Sequence, residues 1–215
     1  MSDWDVRVSS QANQLLVKGE LMPNVTDIWS NLGTPIKYPG VIQSDNTCVF
    51  VSLAGAINHL ANDHLTEAPI IQHWLQEGRP DPHFRLAMNY LDVEIKRHGI
   101  QVTHFHDTDN PLQDFNKVFA ALDSGAVVIP SFEVTDGNFN RVNCYHMLSI
   151  FSRLSGHSHV WDTNNKMGRI SDKELQAWWD GSLPPIPYHC SAGEYLVVHD
   201  KHDLIIVERT CGSDE

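Results

Sequence analysis

The feature that most constrains the fold of this 215-residue chain is a change in the period of its apolar residues near Ala126. Before that point, apolar residues recur at intervals of three and four, which predicts helices. After it, short runs rich in β-branched residues are separated by turn residues, which predicts strands. Helices followed by a run of strands joined by tight turns predict an α+β fold with an antiparallel sheet, and not a doubly wound parallel sheet.

Helices are predicted over 47–61, 67–76, 82–97, 111–122 and 171–179, and strands over 100–106, 126–134, 145–153, 157–162, 195–199 and 204–209. Asp45 or Asn46 is expected to cap the first helix, and Gly99 to end the third. Tight turns at Ser155-Gly156 and at 200–202 are expected to join two pairs of strands as hairpins.

The chain is expected to form one domain with an extension. Pro23, Pro35 and Pro39 interrupt any regular element near the start, so residues 1–40 are interpreted as an N-terminal extension packed on the domain. Residues 41–215 are long enough to bury a sizeable core without a metal or a disulfide framework. The four cysteines form no C-x-x-C pair, and they are expected to be free thiols.

The segment from Gln43 to Cys48 carries the first candidates for chemistry. Cys48 stands in the first turn of a predicted helix, where free N–H groups and the positive end of the helix dipole stabilise a thiolate. Because the thiolate is the nucleophilic form of cysteine, Cys48 is the candidate nucleophile. The same N–H groups can bind an oxyanion, and Gln43 can add a side-chain amide donor to that oxyanion hole.

A second candidate cluster lies on the predicted hairpin. His146 opens a strand and is followed by apolar residues, so its ring is expected to be held rigidly and to act as the base toward Cys48. If the hairpin closes at its Ser-Gly turn, Asp162 returns to the level of His146 and can accept from its second ring nitrogen. Asn164 or Asn165 could orient His146 instead, and both rank below Asp162.

Taken in order, these motifs resemble the papain-like cysteine peptidases and, more narrowly, their C39-like branch, which includes the bacteriocin-leader-processing peptidases. The matching pieces are Gln43, the Cys48 helix, Leu122-Asp-Ser-Gly-Ala-Val-Val-Ile129, His146-Met-Leu-Ser-Ile150, Val160-Trp-Asp162 and a segment at 168–178 that forms a short helix in that family. The resemblance covers about residues 40–180. It implies a papain-like fold, with an N-terminal helical half carrying the Cys48 helix and a C-terminal antiparallel sheet carrying His146 and Asp162.

The resemblance also implies an activity. A Cys48–His146–Asp162 triad would hydrolyse an amide bond, expected to be a peptide bond, through an acyl-enzyme, with a peptide or protein substrate and no cofactor. Deamidation and acyl transfer use the same triad and remain alternatives. A non-catalytic binding module of the same fold is a further alternative, because Gln43 is one residue closer to the cysteine than in the family pattern and Val49 replaces a glycine.

The acidic charge balance excludes several partners. There are 27 Asp and Glu against 15 Lys and Arg, a formal net charge of −12, so most faces repel nucleic-acid phosphates and anionic membranes. The N-terminus lacks the basic start and apolar run of a secretory signal, and the longest apolar stretches are too short to span a bilayer. A cytoplasmic location is therefore expected, although an effector exported without a cleavable signal would look the same.

Two other interpretations have weaker support. Histidine pairs such as His104/His106 and His157/His159 could chelate a metal, but no third ligand follows at a diagnostic spacing, so no metal site is predicted. Cys144 competes with Cys48 as the nucleophile, because it lies two residues before the candidate base and would share its strand face. It lacks the stabilisation that a helix start gives a thiolate.

Overall fold

A computed structural model describes residues 16–17, 20–21, 38–44, 47–105, 111–136, 141–180, 186–187, 194–198 and 204–210. The helices are α1 (Cys48–Ala61), α2 (Glu67–Gln76), α3 (Phe84–Tyr90), α4 (Asp92–Arg97), α5 (Pro111–Asp123) and α6 (Asp172–Trp179). The strands are β1 (Leu16–Val17), β2 (Glu20–Leu21), β3 (Ile100–Phe105), β4 (Val127–Thr135), β5 (Arg141–Leu154), β6 (His157–Asp162), β7 (Lys166–Ser171), β8 (Ile186–Pro187), β9 (Tyr195–Val198) and β10 (Leu204–Arg209).

The main sheet has the order β3-β10-β4-β5-β6-β7, and every neighbouring pair within it is antiparallel. Side chains alternate between its two faces. On β4, Val127 and Ile129 pack in the cluster that contains α1 to α4, whereas Val128 packs in the cluster with α5 and α6. Helices therefore cover both faces, and the predicted α+β class, with a cysteine-bearing helix ahead of an antiparallel sheet, is confirmed.

Helix α1 lies at the centre of the fold. Ten consecutive residues, from Val49 to Asn58, are buried, and a helix that is apolar on every side belongs in a core. It ends at Asn62, whose φ of 56° is left-handed, as is common where helices stop. The predicted bounds of this helix and of α2 agree closely with the structure.

The predicted helix 82–97 is wrong as a single element. It is interrupted at Leu91, whose φ of −109° and ψ of 9° are not helical, so that α3 and α4 follow each other at a bend. The predicted end is confirmed, because α4 stops at Arg97 and Gly99 has a left-handed φ of 57°. Only a residue without a Cβ adopts that conformation at little cost.

The predicted hairpin between the last two strands is also wrong. β9 pairs with residues 132–135 of β4, and β10 pairs with residues 127–130 of the same strand. The two strands thus follow one another along a single edge of β4 instead of pairing together. Both strands pair with the same edge because β4 has nine residues, which is long enough for β9 and β10 to pair with different parts of it.

The sheet also contains a strand that the sequence did not predict. β7 covers Lys166–Ser171, whereas the family resemblance implied a helical segment that begins at residue 168. The helix begins only at Asp172, and Ser171 forms its capping box with Glu174, as expected.

The expectation that residues 1–40 pack on the domain stays a prediction, since most of that segment lies outside the described residues. Within the described part of the chain, no helix is both long enough and apolar enough to cross a membrane.

Candidate active site

Cys48 is the first residue of α1, and its thiol is free and partly exposed. The N-cap is Thr47, whose side chain makes no capping hydrogen bond; its hydroxyl instead donates to Glu67 Oε1 at 2.6 Å. The expected caps, Asp45 and Asn46, lie outside the described residues. At the start of α1 the Phe50 N–H already donates to the Thr47 carbonyl at 2.9 Å, so an anion at Cys48 is favoured by the helix dipole and by the two N–H groups that precede it, those of Cys48 and Val49.

His146 lies within β5 and not at its start, which corrects the sequence prediction: the strand begins at Arg141, because pairing with β4 extends that far. The His146 side chain is 4% exposed. Its Nε2 lies 3.0 Å from Oδ1 of the fully buried Asp162. The ring also forms a side-chain hydrogen bond with Cys48, and since Nε2 is engaged by the carboxylate, Nδ1 is the nitrogen left for the thiol.

These contacts decide the charge of His146. Burial alone would lower the pKa of the imidazole, because it disfavours the charged form. The hydrogen bonds to Asp162 and Cys48, together with the negative charges of both groups, outweigh burial and raise the pKa of His146 to about 9. The site therefore favours a protonated imidazole between two acidic partners at neutral pH.

A β-bulge puts Asp162 on the correct face of the sheet. From the turn, Leu154 pairs with His157 and Ser152 with His159, a register that would set Asp162 opposite Ser149. Neighbouring residues of a strand face opposite sides, so Asp162 would then point away from His146. The register shifts between Ile150 and Ser152, which makes Phe151 the extra residue and sets Asp162 opposite Leu148.

The consequence of the bulge is that Asp162 and His146 share a face. The sequence predicted that Asp162 would return to the level of His146; it lies instead one same-face step away, opposite Leu148, and the contact forms along the diagonal. Asp162 Oδ1 also accepts from the backbone N–H of Asn164 at 2.8 Å. Asn164, the alternative orienter, thus contacts the carboxylate through its main chain.

The structure brings Gln43 to the same end of the sheet. Its backbone N–H donates to the carbonyl of Thr163 at 2.9 Å, and its side-chain Oε1 accepts from the Thr163 hydroxyl at 2.6 Å. Thr163 directly follows Asp162 and is fully buried. The four predicted site residues are therefore joined in one chain of contacts, from Gln43 through the 162–163 peptide to His146 and Cys48.

The segment leading to Cys48 is held at three further points. Gly40 lies flat against the Trp161 indole, and a Cβ at that position would stand 2.3 Å from Trp161 Cε2, so only glycine fits without movement. The Pro39 carbonyl accepts from Asn58 Nδ2 at 3.2 Å. The Ser44 N–H donates to Glu67 Oε1 at 2.7 Å.

One departure from the family pattern places its side chain in the core. Val49, which replaces a glycine, is 4% exposed and packs in the core cluster of α1. Its side chain is therefore part of the packing of α1 against its neighbours.

The sheet gives His146 an apolar neighbour. Phe132 lies directly across from it on β4 and stacks on Trp178 with ring centroids 4.3 Å apart and planes 5° from parallel. His146 is thus buried beside an apolar cross-strand neighbour, and a hydrogen bond such as the one to Asp162 is stronger in surroundings of low dielectric constant.

Two residues with evident roles in building the site were missed from the sequence. Thr163 holds Gln43, and Glu67 holds both Ser44 and Thr47. Neither forms a local motif with the residues it binds, so no spacing in the sequence could have indicated them.

Among the described residues, no group of three or more His, Cys, Asp or Glu side chains could hold a metal ion. The side chain of Cys144, as well as Cys190 and Cys211, lies outside the described part of the chain.

Comparisons with known proteins give a partial structural likeness. No protein-family model matches the chain, and no curated protein sequence matches it. Among solved structures it is similar to the crystal structure of the Pseudomonas avirulence protein AvrPphB, with 15% sequence identity and a TM-score of 0.33, over 64% of this chain and 67% of that one. A likeness of this size does not bear on function, which the residues of the site must support on their own.

Proposed function

We propose that the protein is a cysteine-nucleophile hydrolase of the papain-like type that acts on an amide bond, with a peptide or protein as its substrate. The observation that carries the proposal is the buried His146 ring, which bonds Asp162 through one nitrogen and Cys48 through the other. A nucleophile, a base and a group that orients the base, in contact in that order, are what acyl-enzyme chemistry requires.

The first half of the reaction forms a thioester. Cys48 Sγ attacks the substrate carbonyl carbon as a thiolate, and His146, whose pKa is raised to about 9, holds the proton. The carbonyl oxygen becomes an oxyanion, for which the first N–H groups of α1 and the Gln43 amide are the proposed donors. The C–N bond then breaks as His146 Nδ1 gives its proton to the leaving amine.

The second half consumes an acceptor. His146, now neutral, takes a proton from a water molecule, which attacks the thioester and frees the carboxylate and the Cys48 thiolate. Deamidation of a glutamine side chain follows the same steps with ammonia as the leaving group. Acyl transfer differs only in that an amine or alcohol replaces water.

The site offers support against the alternative of a non-catalytic module. Such a module would be favoured by a blocked cleft or by a histidine turned away from the thiol. His146 instead contacts Cys48, and the Val49 side chain is buried in the core. Membership of the C39-like branch and a cytoplasmic location stay predictions of the sequence.

The proposal is tested by digestion of a denatured-proteome peptide library with the purified protein, followed by mass spectrometry of new termini. Wild-type protein should generate new termini, and Cys48→Ala should reduce their rate of formation by more than about 10³-fold while its thermal unfolding is unchanged. Cys144→Ala is the matched control and should retain activity. Undiminished cleavage by Cys48→Ala, or loss of cleavage in Cys144→Ala alone, would contradict the assignment.

A further inference from the structure

The Gln43 side chain is held by one end of its amide. A glutamine amide has an oxygen that only accepts and an NH₂ group that only donates, and these two ends can exchange places by rotation about the last side-chain bond. An oxyanion must be met by the donating end. An amide that is free to rotate would present the repelling oxygen for part of the time.

Thr163 fixes that rotation. Its hydroxyl donates to Gln43 Oε1 at 2.6 Å, a short hydrogen bond for a neutral pair. With the oxygen engaged, the NH₂ group is turned away from Thr163. The backbone bond from Gln43 N–H to the Thr163 carbonyl, at 2.9 Å, holds the two residues together independently of the side chains.

Thr163 is also the direct neighbour, in the chain, of the triad residue Asp162. It follows Asp162 in the turn that ends β6, and Asp162 accepts from both His146 Nε2 and the Asn164 N–H. Thr163 is fully buried, so its side chain is closely confined by packing. A single turn therefore bears the carboxylate that orients the base and the hydroxyl that orients the amide.

We infer that Thr163 is a positioning residue for the oxyanion hole: its hydroxyl locks the Gln43 amide so that Nε2 faces the carbonyl oxygen of the substrate. This inference rests on the proposed function, because it needs an acylation step at Cys48. Gln43 is one residue closer to the cysteine than the glutamine of the family pattern. The inference also explains how it is presented to the substrate, because Thr163, in the turn that ends β6, holds its side chain in place.

Two reactions of the same thiol separate this role from a general structural one. Acetylation of Cys48 by p-nitrophenyl acetate passes through an oxyanion, and the burst of p-nitrophenolate reports its rate. Alkylation of Cys48 by iodoacetamide displaces iodide without an oxyanion, and it reports only the thiolate. A loss of positioning slows the first reaction and leaves the second unchanged, whereas a loss of fold or of the Cys48–His146 pair slows both.

The variants are Thr163→Val, which keeps the shape and loses the hydroxyl, Thr163→Ser, which keeps the hydroxyl, and Gln43→Ala. Gln43→Ala should slow acetylation by about 10²-fold, the usual effect of removing one oxyanion donor. Thr163→Val should slow it by about tenfold, with Thr163→Ser within about threefold of wild type and alkylation within about twofold throughout. In the Gln43→Ala background, Thr163→Val should have no further effect, since the amide that it positions is gone.

Three outcomes would overturn the inference: an unchanged acetylation rate in Thr163→Val, an equal loss in alkylation, or the same loss with Gln43 absent. Failure of the proposed function has a different signature. In that case the wild-type burst would be absent, or would persist in Cys48→Ala, whatever residue stands at position 163.

Discussion

Removing the Asp162 carboxylate should discharge His146 at neutral pH. Asp162→Ala takes away a hydrogen bond of 3.0 Å and a full negative charge from a side chain that is 4% exposed. Burial, the largest influence on this ring, then acts against only the contribution of Cys48. The pKa of His146 should therefore fall from about 9 to its ordinary value of 6.5 or lower, a decrease of about two pH units or more.

The consequence can be stated as a population. With a pKa of about 9, roughly nine-tenths of His146 is protonated at pH 8; with the ordinary pKa of 6.5, only a few per cent is. Cys48 then loses its cationic partner in most molecules, so alkylation by iodoacetamide at pH 8 should slow by about tenfold or more.

The direct assay is NMR titration of the His146 Cε1 proton between pH 5 and 10, assigned by its absence in His146→Gln. Asn164→Ala is the matched control, because it removes the alternative orienting side chain and keeps the backbone N–H that donates to Asp162. Its His146 titration should stay near pH 9. A wild-type midpoint near 6.5, or one that does not move in Asp162→Ala, would refute the charged pair.

Two further predictions concern stability. Folding raises the pKa of His146 from 6.5 to about 9, so the native state binds this proton more tightly than the unfolded state does. The resulting stabilisation of the native state is roughly 3 kcal/mol. It is complete below about pH 6.5 and is lost as the pH rises toward 9. Urea unfolding at pH 6 and pH 9.5 should show that loss in wild type and much less of it in Asp162→Ala; equal losses in both would argue against the pair as its source. Gly40→Ala places a Cβ 2.3 Å from Trp161 Cε2, so it should lower the free energy of unfolding by about 1–3 kcal/mol and slow acetylation of Cys48. An unchanged urea midpoint and acetylation rate would mean that segment 38–44 is not held against Trp161.

Local chemistry made part of the fold predictable. The capping box at Ser171 and Glu174 and the turn at Ser155-Gly156 depend on residues that are neighbours in sequence, and both are observed. Helix α1 was predictable because its apolar positions recur at helical spacing. Since Cys48 is its first residue, the position of the thiol at the helix start was predictable as well.

The predictions that failed concern the register of paired strands and pairing between residues that are far apart in sequence. Nothing in the run from Ile150 to Ser152 marks Phe151 as an extra residue, yet that bulge decides which face Asp162 occupies. β9 and β10 were expected to pair with each other because they are adjacent in sequence, whereas both find their partner in β4. Thr163 and Gln43 are 120 residues apart, and only the folded chain shows that they meet.

The central claim is that Cys48 forms an acyl-enzyme, and it is tested most directly by intact-protein mass spectrometry of an acid-quenched reaction with p-nitrophenyl acetate, followed by peptide mapping. The account predicts a single acetyl adduct on the peptide that contains Cys48, absent in Cys48→Ala and formed much more slowly in His146→Gln. Acetyl groups spread over Cys48, Cys144, Cys190 and Cys211 at similar rates, or an adduct that survives Cys48→Ala, would contradict it.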